Sequence, residues 1–290
     1  MRIAGLGHGL FAIASTGLAI LGLTYRDLAP IWQPLPAWIP WREAWVYGCG
    51  LLVLAASADL CFPRTALSSA LTIGTYLALW VVARAVPIVL EPLSIGSWYG
   101  LCEALAPLLG AWILYAMLRW QSRAPETPSI ASERGVRAAQ VLFGLTCVAF
   151  GLAHFAYAEL TTSMVPIWLP GRLGFAYLTG LGHLAAGIGI MVGIFPRLAA
   201  TLEAIMMSLF GLLVWVPSLF ARPPPEWATP PQNQWSELIV TLLLTASAWI
   251  VATSLRNRPW GFAGRSHAHG DDSRDSLNSA AHQVRGCEPR

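Results

Sequence analysis

Trp98-Tyr99-Gly100-Leu101-Cys102-Glu103-Ala104-Leu105-Ala106-Pro107-Leu108-Leu109-Gly110-Ala111-Trp112-Ile113 has a second version in the same chain. It runs Trp235-Ser236-Glu237-Leu238-Ile239-Val240-Thr241-Leu242-Leu243-Leu244-Thr245-Ala246-Ser247-Ala248-Trp249-Ile250. In each, two tryptophans stand fourteen residues apart and the second sits in an Ala-Trp-Ile triplet. Other landmarks recur in the same order. Trp38-Ile39-Pro40 and Trp168-Leu169-Pro170 are each followed at equal distance by a tyrosine, Tyr47 and Tyr177. Phe62-Pro63-Arg64 returns as Phe195-Pro196-Arg197, and Val86-Pro87 as Val216-Pro217. The offset lies between about 130 and 137, too long for a solenoid unit and the right size for a duplicated bundle.

The repeated segment is nearly all apolar, and so is the chain: 56% of its residues are hydrophobic and 11% charged, which excludes an ordinary soluble domain. A spanning helix needs roughly 20 apolar residues. Eight segments qualify, about 4–24, 44–61, 66–88, 98–118, 138–158, 173–195, 198–220 and 235–255, four to each half. Segments 44–61 and 235–255 are weaker, being short or polar at the start. Unbroken apolar runs with scattered glycine favour helices over barrel strands, which alternate and are about ten residues long. The expected fold is an all-α polytopic membrane protein made of two tandem four-helix bundles in parallel orientation. The first segment has some features of a signal peptide, but its apolar run continues to Leu23 and it matches 138–158, so it is read as retained.

Every basic residue is arginine. Arg2, Arg64, Arg119, Arg123, Arg134, Arg137, Arg197, Arg256, Arg258 and four in the tail fall on one side of the expected topology; Arg26, Arg42, Arg84, Arg172 and Arg222 fall on the other. The basic side is cytoplasmic, which puts both termini inside. The net charge of +3 therefore reports topology and does not point to nucleic acid. Cys49, Cys61, Cys102, Cys147 and Cys287 form no C-x-x-C and no metal spacing.

Residues 1–120 are the expected first bundle, 121–136 a polar cytoplasmic linker, 137–256 the second bundle and 257–290 a polar, disordered cytoplasmic tail. Parallel halves imply a pseudo-twofold axis along the membrane normal. The outer loops carry Trp32, Trp38, Trp41, Trp45, Trp168, Trp227 and Trp235 among prolines, a collar for the headgroup layer that anchors the bundle or roofs a site.

Phe150-Gly151-Leu152-Ala153-His154-Phe155, Val165-Pro166-Ile167-Trp168-Leu169-Pro170, Tyr177-Leu178-Thr179-Gly180 and Phe195-Pro196-Arg197-Leu198 together resemble the DoxX-like family of small four-helix membrane proteins. The match covers about sixty residues of the second half. The first half keeps Trp38-Ile39-Pro40, Tyr47, Gly50 and Phe62-Pro63-Arg64 but lacks the His-Phe, so it looks like a diverged copy. The resemblance implies a bacterial inner membrane and an accessory role in a quinone- or thiol-linked respiratory redox system, with redox-complex subunits as partners and a quinone as candidate ligand. It implies no defined active site. Where many relatives carry a carboxylate in helix two, this chain has His183.

Ionisable groups inside spans cost about 2.5–3.5 kcal/mol on insertion scales and are functional candidates for that reason. They are His8, Asp59, Glu103, His154, His183, Glu203 and Glu237. Asp59, five residues before Arg64, reads as half of an ion pair at a helix end. At 1.5 Å per residue, His183 sits roughly 15 Å from the outer surface and Glu203 roughly 9 Å from the inner one, a vertical gap of about 6 Å that side chains can bridge. His154 and Glu237 lie near the outer ends of their helices and can meet beneath Trp168. The plainer alternatives are that His154 bonds a loop carbonyl and Glu237 caps its helix. The candidate ligand-binding set is His154, His183, Glu203, Glu237, Trp168 and Tyr177, with Glu203 rather than Tyr177 as partner of His183, and any polar cavity is expected within the second bundle alone. His267, His269, Asp271 and Asp272 are a weak metal candidate. No hydrolase, metalloprotease, P-loop or dinucleotide motif is present, so catalysis has no visible constellation. The alternatives to a redox accessory are a small-molecule or lipid transporter and a structural or assembly protein without ligand.

Overall fold

A computed structural model describes residues 5–29, 32–122, 128–221 and 231–260. Arg2, Arg123, Arg222, Trp227, Cys287, the His267 to Asp272 motif and most of the expected tail lie outside the described residues. The described chain is helical, without strands. Its helices are α1 (Leu6–Tyr25), α2 (Arg42–Asp59), α3 (Ala66–Leu90), α4 (Ile95–Gln121), α5 (Glu133–Ala156), α6 (Ala158–Met164), α7 (Arg172–Val192), α8 (Pro196–Phe210), α9 (Val216–Ser218) and α10 (Pro231–Ser254). A π-helical turn, Gly211–Trp215, joins α8 to α9 in one rod. Pro217 in that rod has no N–H for the backbone ladder, a recognised reason for such irregularity.

Among the described residues, seven helices are long and apolar enough to cross a membrane: α1, α3, α4, α5, α7, the α8–α9 rod and α10. The eighth expected span, α2, has eighteen residues and opens on Arg42-Glu43, and it is not among the seven. Large apolar side chains such as Ile13, Leu52, Leu79, Val82, Leu178 and Leu202 point outward, at least half exposed. Outward apolar surface on this scale belongs in a bilayer, and the protein is a multi-pass membrane protein.

The packing follows a circuit. Each helix touches the next in the order α1, α2, α3, α4, α5, α7, α8, α10, and α10 returns to α1. Across the middle, α4 packs on α10. Glycine makes these contacts close. A Cβ on Gly7 would lie 2.6 Å from the backbone nitrogen of Ile250, and one on Gly17 would lie 2.6 Å from Ile239 Cδ1. So α1 and α10 run antiparallel with the start of one beside the end of the other, and both lie at the same face of the bundle. On the central pair, a Cβ on Gly110 would meet Ser247 Cβ at 2.6 Å.

The α5–α7 crossing uses glycine at heptad spacing. A Cβ on Gly144 would lie 2.7 Å from the Gly187 carbonyl, and one on Gly151 would lie 2.8 Å from that of Gly180. Without hydrophobic drive between helices in lipid, such small-residue seams supply van der Waals contact. Arg137 closes the far end by donating to the carbonyls of Ile190 (2.9 Å) and Met191 (2.6 Å), the last turn of α7.

Two local expectations are corrected. Asp59 makes no ion pair with Arg64; Arg42 pairs with Asp27 across the α1–α2 loop, at the opposite end of α2. Thr65 instead bonds the Asp59 carbonyl at 2.8 Å, so the turn closes through backbone. Trp32 does not lie in a headgroup collar but is 2% exposed inside the bundle, whereas Trp38, Trp41 and Trp168 do face outward. The indole of Trp32 donates to the Glu103 carbonyl at 3.2 Å. Four residues later Pro107 lacks the N–H that would normally take that carbonyl. Trp32 thus supplies the missing donor.

Candidate functional site

A cavity of about 440 Å³ opens between α4, α5, α7, α8 and α10, with α6 forming part of its wall. Its apolar surface includes Phe150, Met207, Phe210, Trp215 and Leu244, and its polar groups include Arg84, Glu103, His154, His183 and Glu237. The expectation of a cavity confined to the second half is corrected. Arg84, Tyr99 and Glu103 come from α3 and α4. The physical cause is that α4 packs against both α5 and α10, so it walls the space that α5, α7 and α8 enclose.

The α5–α7 glycine seam sets the two histidines. A Cβ on Gly180 would lie 2.9 Å from the Cβ of His154, so the bare backbone there lets His154 lie against α7. The imidazoles of His154 and His183 end 5.0 Å apart, centroid to centroid, and Phe150 stands edge-on to His183 at 5.9 Å. His183 Nδ1 lies 2.9 and 3.1 Å from the two carboxylate oxygens of Glu203. Glu203, at 1% exposure, sits behind the ring and does not itself line the cavity. An N–H shared between both oxygens fixes the tautomer, leaving Nε2 of the neutral ring with a lone pair.

His154 is fixed differently. Its Nδ1 lies 2.8 Å from the carbonyl of Phe150, one turn back on its own helix, not from a loop carbonyl. A carbonyl only accepts, so Nδ1 carries the hydrogen and Nε2 of the neutral ring is an acceptor. That Nε2 is buried and has no hydrogen-bond partner.

Glu103 and Glu237 reach the cavity from the central helices. The Tyr99 hydroxyl donates to Glu103 Oε1 at 3.4 Å, and the Arg84 guanidinium lies against the bare Cα of Gly100, its Nε donating to the Gly100 carbonyl at 3.3 Å. Glu237 is not an N-cap: α10 begins at Pro231, and a dipole interaction fades within the first turn. Of the expected set, the structure brings His154, His183 and Glu237 to one cavity, with Glu203 behind His183. Trp168 is 68% exposed and is not in the lining. Tyr177 stacks on Phe155, centroids 5.6 Å apart, away from the cavity.

Arg84 was the residue missed. Counted from the sequence only toward the charge bias of the outer side, it lies inside α3, where an ionisable side chain is itself a functional signal. α6 was missed too, because its seven residues sit inside a polar loop. Arg172 at the start of α7 holds it by donating to the carbonyls of Thr162 (2.8 Å), Ser163 (3.2 Å) and Val165 (3.0 Å).

Among the described residues, Cys49, Cys61, Cys102 and Cys147 are free thiols, and no three His, Cys, Asp or Glu side chains gather as a metal site. Comparison of the chain with protein-family models, with curated proteins and with solved structures gave no match.

Proposed function

We propose that the cavity holds the ring of a small quinoid molecule dissolved in the membrane, and that the protein serves as an accessory component of a quinone- or thiol-linked respiratory redox system in a bacterial inner membrane. The observation that carries the ligand part is His154 Nε2, a buried acceptor without a partner in a wall of aromatic, methionine and leucine side chains. Sites of a few hundred Å³, mostly apolar with a few convergent polar groups, are the usual form of a small-molecule site. Ionisable groups in a span carry an insertion cost that a function offsets.

The DoxX-like tandem reading draws support from the packing. Gly110 and Ser247, which meet on the central helices, are 137 positions apart, the offset of the tryptophan pairs. The first helix of each half packs on the last helix of the other, α1 on α10 and α5 on α4, as a twofold relation requires. The start of α1 and the end of α10 share one face, and the arginine bias supports a cytoplasmic placement of that face.

Extraction of the detergent-purified protein, with absorbance and mass spectrometry of the extract, tests the reading. Quinone co-purifying at a substantial fraction of one equivalent is the expected result; none in repeated preparations overturns the ligand assignment and favours an assembly role. The alternative is a transporter, favoured by the fact that Arg84, Tyr99 and Glu103 from one half meet His154 and Glu237 from the other, since duplicated carriers place substrate between repeats. Substrate flux in proteoliposomes without redox partners would select it.

A further inference from the structure

We propose that the cavity prefers the hydroxyl-bearing, reduced form of an aromatic ring ligand over its carbonyl-bearing, oxidised form, with His154 Nε2 receiving the hydroxyl proton in a hydrogen bond. This rests on the quinoid reading above but adds a direction to it. The polar groups of the cavity divide unevenly by hydrogen-bond role. Several of its donors are engaged: the Arg84 Nε–H on the Gly100 carbonyl, the Tyr99 hydroxyl on Glu103, and the Thr161 hydroxyl on the Tyr157 carbonyl at 3.0 Å. The other Arg84 N–H groups can be met by a hydroxyl oxygen as well as by a carbonyl oxygen, so they do not separate the two forms. At the histidine corner the acceptors are open. His154 Nε2 is unpartnered, and His183, its Nδ1 taken by Glu203, presents Nε2 as a second lone pair.

Two acceptors cannot bond each other, and the two rings stand 5.0 Å apart. What they lack is a donor. A hydroxyl supplies one; a carbonyl oxygen adds a third lone pair to the same corner and leaves His154 unsatisfied. Sites built for a hydroxyl reject analogues without it strongly, because the polar group of the site is then buried unpaired. The flat walls at Phe150, Phe210 and Trp215 suit an aromatic ring bearing that hydroxyl. No electron transfer is implied, only a difference in affinity between two states of one ring.

The test uses the full-length protein in one detergent, titrated calorimetrically with a decyl-substituted 1,4-benzoquinone and with its dithionite-reduced hydroquinone. The hydroquinone is expected to bind at least tenfold more tightly. His154→Phe, which keeps a ring and removes the acceptor, should bring the two dissociation constants within about threefold of each other. Where that variant is misfolded, His154→Gln, whose amide both donates and accepts, should flatten the preference in the same way. Equal affinities in the unmodified protein, tighter binding of the quinone, or a preference that survives in a folded His154 variant overturns the inference while leaving the quinoid reading in place. Failure of both probes to bind overturns both.

Discussion

The indole nitrogen of Trp32 donates to the backbone carbonyl of Glu103, 3.2 Å away, at the turn of α4 that Pro107 leaves one donor short. A residue from the α1–α2 loop thereby completes the helix that carries a cavity carboxylate. Trp32→Phe should lower stability by about 1–3 kcal/mol, the cost of an unpaired buried polar group. Pro107→Ala returns the N–H to the helix, so Trp32→Phe should cost clearly less in that background. Thermal unfolding of the four proteins in detergent measures the coupling, and additive losses would show that the indole contributes packing alone.

Glu203→Leu should leave His183 Nδ1 without an acceptor and destabilise the protein by roughly 1–3 kcal/mol, whereas Glu203→Gln, which retains a carbonyl oxygen, should cost less. Nitrogen-15 spectra of histidine-labelled protein should show one ring, that of His183, lose its fixed Nδ1–H form in the leucine variant. An unchanged spectrum would mean that the tautomer is held by something other than Glu203.

Glycine substitutions on α7 should divide by contact. A Cβ at Gly180 collides with His154 and Phe155, while one at Gly174 meets nothing within 4 Å. Gly180→Ala should therefore cost about 1–3 kcal/mol by overpacking. Gly174→Ala should be neutral or stabilise by up to about 1 kcal/mol, the helix advantage of alanine. Equal effects at the two positions in a thermal unfolding series would remove the close α5–α7 crossing from the account.

Arg172→Ala should loosen α6 without unfolding the bundle, because the three carbonyls that Arg172 holds all lie at or just beyond the end of that helix. Hydrogen exchange over residues 158–164 should accelerate about tenfold or more while exchange in α4 and α10 stays unchanged, the behaviour of a local opening. Uniform acceleration would mean that α6 is integral to global stability.

Reporter fusions address orientation. A reporter active only in the cytoplasm should give signal when fused at residue 130 or after Arg258, and none at Pro36. Signal at Pro36 would reverse the membrane orientation assigned from the arginine bias.

Seven long apolar helices, the bilayer and the His183–Glu203 relation were legible in the amino-acid order. Each depends on quantities local to one helix or two neighbours: the length of an apolar run, the rise per residue, and the terse Phe195-Pro196-Arg197 turn that brings α7 back as α8. Depth along a helix follows from counting residues, so the vertical closeness of His183 to Glu203 could be computed before any packing was known. Which helices share a wall cannot be counted in that way. The placement of α4 against α5 and α10, the entry of Arg84 and Glu103 into the cavity, the exclusion of Trp168 and Tyr177 from it, and the indole of Trp32 on the Glu103 carbonyl all depend on rotation about helix axes and on contacts between residues distant in the chain. In lipid the apolar faces of these helices are nearly interchangeable, so neither rotation nor partner is encoded in hydropathy; close glycine contacts and a few directed hydrogen bonds decide both.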